Sequence, residues 1–175
     1  QVGWAPHEVG EKLHGVGRIA ATEYLGDEIA ARVLVEDALA LETRERIVSA
    51  LYEDVRLNGF QGLRADKVIV DLGITKGALY HYFPSKKDIG ATIIDEVLYP
   101  MFTDFYNRLD QTEGDPVPAI QEHLRWLAGI CDDHEAILGC PLNNLVQEMS
   151  PLDETFRLKL NKIVQHMQRS LTEAF

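Results

Sequence analysis

Arg64-Ala65-Asp66-Lys67-Val68-Ile69-Val70-Asp71-Leu72-Gly73-Ile74-Thr75-Lys76-Gly77-Ala78-Leu79-Tyr80-His81-Tyr82-Phe83-Pro84-Ser85-Lys86 decides how the rest of the chain is read. It contains two short helical runs, Arg64 to Leu72 and Thr75 to Phe83, with a glycine between them. Gly73 permits the positive φ or the close approach that a tight turn needs. Ile74 plugs the angle between the helices, and Thr75 caps the second. Pro84-Ser85 breaks that helix, and Ser85 starts another with Asp88 three positions on, the spacing of a capping box. Two helices of about eight or nine residues joined by such a turn are the signature of a helix-turn-helix, whose second helix enters the DNA major groove.

Outward from this stretch the pattern stays helical. From Asp27 to Asn58 there is neither Gly nor Pro, and Val48, Leu51, Tyr52 and Val55 recur at i, i+3, i+4 and i+7. One helix through Thr43, or two with Thr43 as a cap, both fit. Gly59 stops the run and Phe60 packs back on it. After Ser85, Ile89, Ile93, Val97, Met101 and Phe105 form an i, i+4 ladder that Pro100 is expected to kink rather than end. Asp110 to Pro118 reads as a linker. Beyond it, Ile120, Leu124, Leu127 and Cys131 share a face, and Gly139 closes a short helix begun at Asp133. Pro141 opens a helix to Met149, and Phe156, Leu160, Ile163, Met167 and Leu171 make a final apolar stripe. Residues 1 to 26, with five glycines, read as loop. The expected fold is all-α.

Within the second helix of the motif, Ala78, Leu79, Tyr82 and Phe83 compete for the inner face, whereas Lys76, Gly77, Tyr80 and His81 lie where a groove would be. Gly77 costs about 1 kcal/mol of helix propensity relative to Ala, so its presence suggests close approach to something. Lys86 and Lys87 open a helix against its macrodipole, which makes sense beside a phosphate. Lys67 and Lys87 are nevertheless read as solvated charges.

Thr43-Arg44-Glu45-Arg46-Ile47, Asn58-Gly59-Phe60 and the run from Leu72 to Lys86 together resemble the DNA-binding domain of the TetR family of bacterial repressors, over about residues 42–98, a third of the chain. Gly139-Cys140-Pro141-Leu142-Asn143-Asn144-Leu145 also resembles a segment of some members' C-terminal domains. The resemblance implies a homodimer in which a helical C-terminal domain, here 99–175, binds a small-molecule effector and releases operator DNA. It puts Arg64, Thr75, Lys76, Gly77, Tyr80, His81, Tyr82 and Lys86 at positions that commonly touch DNA. Leu63, Ile69 and Val70 depart from the Thr, Ser and small residues usual in the first helix of the motif. Residues 1–41 form an extension of unassigned role, and the 77 residues after Leu98 are short for the usual dimer bundle, leaving truncation, rearrangement or help from the N-terminal segment as alternatives. The chain opens on Gln1, so its true start is expected upstream or removed. For an effector pocket, Phe102, Phe105, Tyr106, Trp126, Cys131, Asn143, Asn144 and Met149 combine apolar lining with polar groups.

Other chemistries find less support. His123, Cys131, Asp132, Asp133, His134 and Cys140 include an i, i+3 pair but no second pair to complete a tetrahedral site, so no metal is expected. Gly15-Val16-Gly17-Arg18-Ile19-Ala20 fits G-x-G-x-x-A with Glu36 beyond it, yet no βαβ pattern surrounds it, so neither a nucleotide cofactor nor an enzyme is expected. Two cysteines in 175 residues and no long apolar run point to a reducing, cytoplasmic setting without a membrane partner. The competing functional class is a helical ligand-sensing or protein-interaction module that has lost DNA binding.

Charge bears on that choice. With 17 Lys+Arg against 28 Asp+Glu, the net charge is -11, which argues against a polyanionic partner. The excess lies elsewhere, however: residues 61–90 hold five basic and three acidic side chains, while residues 101–175 hold six and twelve. A locally positive face on an acidic body predicts modest non-specific affinity and specificity that rests on a few contacts.

Overall fold

The computed structural model describes residues 27–130 and 133–175, with side chains for 38–130 and 136–175. Among them the chain is all-α: α1 (Asp27–Asn58), α2 (Ala65–Asp71), α3 (Lys76–Tyr82), α4 (Lys86–Thr92), α5 (Tyr99–Leu109), α6 (Val117–Ile130), α7 (Asp133–Leu138), α8 (Pro141–Met149) and α9 (Glu154–Ala174). The expected loop at residues 1–26, and the glycine motif within it, lie outside the described residues. Contacts gather Ile47–Phe175 into one compact unit, separate from the chain up to Arg46. No helix among the described residues is long and apolar enough to cross a membrane.

α1 is a single helix through Thr43, whose hydroxyl donates to Leu39 O at 2.8 Å instead of capping a new start. The ladder from Ser85 is also continuous, but α4 passes into α5 through a π-helical segment, Ile93–Leu98. Tyr99 N donates to Ile94 O, five residues back. Because Pro100 has no N–H to give, the local shift of register lets the helix run on where proline would otherwise leave it short of a bond.

One apolar core serves both the helix-turn-helix and the C-terminal helices. Ile47, Leu51, Leu79, Phe83, Ile89, Ile93, Leu98, Leu160 and Ile163 are each at most 2% exposed. At Gly90 a Cβ would lie 2.3 Å from Phe156 Cζ and 2.6 Å from Phe60 Cε2. The two rings meet at 4.7 Å between centroids. A glycine in a helix interior is explained here by space alone. The apolar stripe of α9 is buried at Phe156, Leu160 and Ile163 but runs to the surface at Leu171. α6 departs from its pattern, since Leu124 is 57% and Leu127 40% exposed.

The start of α9 is tied to α4. Asp153 Oδ1 caps α9 by accepting from Thr155 N at 2.8 Å and Phe156 N at 3.2 Å, while Lys87 Nζ stands 2.8 Å from Asp153 Oδ2. The Lys87 hydrogen bond chiefly, with the two backbone donors, holds the Asp153 carboxyl below the usual carboxylate range. A depressed folded-state pKa gives stability that is present above the ordinary range and lost as pH falls through the depressed value. Asp153→Ala should therefore lower the urea midpoint near neutral pH, with the gap from wild type closing in acid; a gap independent of pH contradicts this assignment. Gly90→Ala should destabilise the fold by about 1–3 kcal/mol through overpacking, and an unchanged urea midpoint would show that the rings yield without cost.

Candidate nucleic-acid interface

Local chemistry builds the motif as its sequence suggests. α2 ends in a Schellman turn: Leu72 stays near-helical, Gly73 adopts φ 69°, Gly73 N donates to Val70 O at 3.0 Å and Ile74 N reaches back to Ile69 O at 2.8 Å. Nothing lies within 4 Å of a Cβ built on Gly73, so backbone conformation, not crowding, requires glycine. Thr75 Oγ1 accepts from Ala78 N at 3.2 Å and caps α3. Ser85 Oγ accepts from Asp88 N at 3.2 Å and donates to Asp88 Oδ2 at 2.6 Å, starting α4.

The start of α2 works differently. Arg64 provides no side-chain cap. Its backbone N–H donates instead to Asp54 Oδ2 on α1 at 2.8 Å, and its guanidinium stands 3.3 Å from Asp54 Oδ1. Leu63, at the position where a capping hydroxyl is usual, is 7% exposed and belongs to the core, as does Ile69 at 1%, whereas Val70 faces outward.

α3 divides as its pattern suggests. Leu79 and Phe83 are buried; Lys76, Gly77, Tyr80 and His81 are exposed, and Tyr82 is half-buried with its ring 5.3 Å from His81 and 6.2 Å from Phe83. Gly77 is informative. Around a Cβ placed there, only Thr75 Oγ1 comes within 4 Å, at 3.9 Å, so packing among the described residues does not call for glycine.

The basic side chains of this face are held by carbonyls and aspartates. Lys76 Nζ bonds Asp66 Oδ2 at 2.7 Å, and that hydrogen bond and charge raise the lysine pKa. Lys67 pairs with Asp71 at 2.7 Å and Lys86 Nζ donates to Gln61 O at 2.9 Å. Lys67 and Lys87, expected as solvated charges, are exposed and each pairs with an aspartate, Asp71 and Asp153. Exposed ion pairs contribute little and open readily when a phosphate competes.

The described candidates for the effector pocket lie in several places. Phe105, Tyr106 and Trp126 do meet, around His123: Phe105 and His123 stack at 3.8 Å and 5°, His123 and Trp126 at 5.6 Å, and Tyr106 lies edge-on to Phe105 at 5.2 Å. Burial, then the charge of Arg108, lowers the His123 pKa, and burial raises that of Tyr106. Phe102 and Met149 pack with the core. Asn144 Nδ2 closes the α7–α8 turn by donating to Leu138 O at 2.8 Å, and Asn143 is exposed. Cys131 lies outside the described residues, as does Asp132 of the metal set, and the side chains of Asp133 and His134 are not described. Among described residues, no group of three His, Cys, Asp or Glu is placed to hold a metal.

Three structural participants escape sequence reasoning: Asp54, Asp66 and Glu148. Glu148 on α8 accepts Phe60 N at 2.9 Å and Gln61 N at 2.8 Å. These are long-range pairings with no local spacing to mark them.

Comparisons with known proteins agree with this geometry. Residues 47–91 match the model described as bacterial regulatory proteins, tetR family, and residues 116–175 match the C-terminal domain of LmrA/YxaF-like transcriptional regulators. An HTH-type transcriptional regulator of Lactococcus lactis, from the lacX 3′ region, is 28% identical over 75% of this chain and 67% of its own length. YxaF of Bacillus subtilis is 28% identical over 70% of this chain and 64% of its own. The crystal structure of reduced Escherichia coli NemR superposes with TM-score 0.65 and 26% identity, covering 76% of this chain and 69% of that one. The matched part thus spans about two thirds of these relatives. Its helix-turn-helix and its C-terminal helices match the two parts of one regulator family in the same order, and the chain belongs to the TetR family of bacterial transcriptional regulators.

Proposed function

We propose that the chain is a sequence-specific DNA-binding transcriptional regulator that acts as a repressor. It binds a pseudo-palindromic operator as a homodimer and leaves it when a small-molecule effector binds among the C-terminal helices. The observation that carries this reading is Gly77: an exposed helical glycine beside Lys76, Tyr80 and His81, with open space where its Cβ would stand. Among the described residues the missing side chain serves no packing purpose, and a groove wall brought against the helix explains it. Relatives in Mycobacterium, DhaR, and in E. coli, NemR, are named HTH-type transcriptional repressors, which supports the repressor assignment.

The roles follow from chemistry. The α3 N-terminus with its Thr75 cap, together with Arg64, Tyr80 and Lys86, holds phosphates. Lys76 and His81 reach base edges, Lys76 after exchanging Asp66 for a base acceptor. Tyr82 braces His81. Two such helices would read half-sites about 34–36 Å apart or a multiple of that. The aromatic stack of Phe105, His123 and Trp126 offers flat apolar faces to an effector, whose differential binding shifts the population away from the operator-competent dimer.

Two substitutions test the reading. Gly77→Ala should leave the stability measured by urea unfolding unchanged or raise it by up to about 1 kcal/mol, while weakening binding, in a gel-shift titration, to a duplex that the wild type enriches from a random library. Wild-type affinity in this variant would remove the observation on which the proposal stands. Lys76→Ala should reduce affinity for the selected sequence about tenfold or more while changing random duplex binding much less; equal losses on both would reassign Lys76 to the phosphate backbone.

A further inference from the structure

The turn between α1 and α2 is gripped from two sides. Gly59 takes φ 73° and presents the next two backbone N–H groups, of Phe60 and Gln61, in one direction, the arrangement that forms an anion cradle. On an exposed turn water would fill it. Here the Glu148 carboxylate does, each oxygen accepting one N–H, at 2.9 and 2.8 Å. The fit is close: a Cβ on Gly59 would lie 3.0 Å from Glu148 Oε1. On the other side, Gln61 O accepts from Lys86 Nζ at 2.9 Å, and the same ammonium sits 5.4 Å from the centre of the Phe60 ring. Residues Phe60 and Gln61 therefore touch α8 through their N–H groups and the first side chain of α4 through a carbonyl and a ring.

We propose that Glu148 is a positioning residue for DNA binding, acting through Lys86. By fixing the backbone of Gln61, Glu148 sets where the Lys86 ammonium stands, so a displacement of α8 reaches the operator-facing surface in two hydrogen-bond steps. Charge-assisted bonds to a carboxylate are strong enough to carry position, and an ammonium bonded once to Gln61 keeps two further donors for a phosphate. A cavity of about 70 Å³ beside Tyr52, Arg56, Gly59, Asn144 and Glu148 leaves α8 room to shift on this side. The proposal rests on the DNA-binding reading above and assigns its link to the C-terminal helices.

The test is a double-mutant cycle in the full chain, using a duplex enriched by the wild type from a random library and titrated across a salt series. Glu148→Ala should weaken binding about three- to tenfold and make the salt dependence shallower by about one phosphate contact. In a Lys86→Ala background the same substitution should add little to either loss, because the residue it acts through is gone. Glu148→Gln, which keeps the shape but loses one acceptor, carries the cycle if the alanine variant does not fold. Additive losses, or an unchanged salt slope after Glu148 is replaced, would overturn the proposal and leave Glu148 as a brace for the turn. A wild-type chain that enriches no duplex overturns the DNA-binding reading itself, and this proposal with it.

Discussion

The close packing at Gly90 is the constraint on which the structure depends. With no side chain there, the Phe60 and Phe156 rings meet in the space a Cβ would fill. Phe60 belongs to the turn before the helix-turn-helix and Phe156 to the first turn of α9, so this contact joins the DNA-facing segment to the C-terminal helices in a single core. The Asp153 cap, its bond to Lys87 and the Lys159–Asp95 pair flank the same crossing. Packed interiors resist continuous deformation. On the proposed mechanism, a movement of the C-terminal helices would pass through this packing to α3 rather than be absorbed between loosely hinged parts.

The acidity of the chain is resolved at the level of individual pairs. Asp54, Asp66, Asp71 and Asp153 each hold a basic side chain of the interface segment or of its flank. These pairs hold the basic side chains in defined places without deep burial, and on the proposed reading the Asp54–Arg64 and Asp66–Lys76 pairs are the ones that a phosphate or base must outcompete. An interface built this way gives a random duplex little electrostatic attraction and reserves tight binding for a sequence that also satisfies the exposed positions of α3.

What was legible in the sequence was local. The Thr75 cap, the Gly73 turn and the Ser85–Asp88 capping pair each involve residues within a few positions of one another, where spacing alone carries the geometry. Helical periodicity separates the outward set Lys76, Gly77, Tyr80 and His81 from four candidates for the inner face, of which Leu79 and Phe83 are buried and Ala78 and Tyr82 only partly so. The rest depended on distant partners. No local pattern marks Asp54 as the group that receives Arg64 N–H, or Glu148 as the partner of a turn 87 and 88 residues earlier. Periodicity also groups Leu124 and Leu127 on one face without saying what covers them, and within this chain they remain largely exposed. Thr43 was ambiguous for the same reason: a hydroxyl that can cap can also bond back along its own helix, as it does to Leu39 O.

The central claim is that the outer face of α3 reads a DNA sequence in two symmetry-related copies. Selection of bound sequences from a random duplex library by the intact chain tests it most directly. Reading by two α3 helices should enrich a pseudo-palindrome whose half-site centres lie about one helical turn apart or a small multiple of it. Recovery of an unenriched pool at low salt, where counterion release most favours binding, would contradict it.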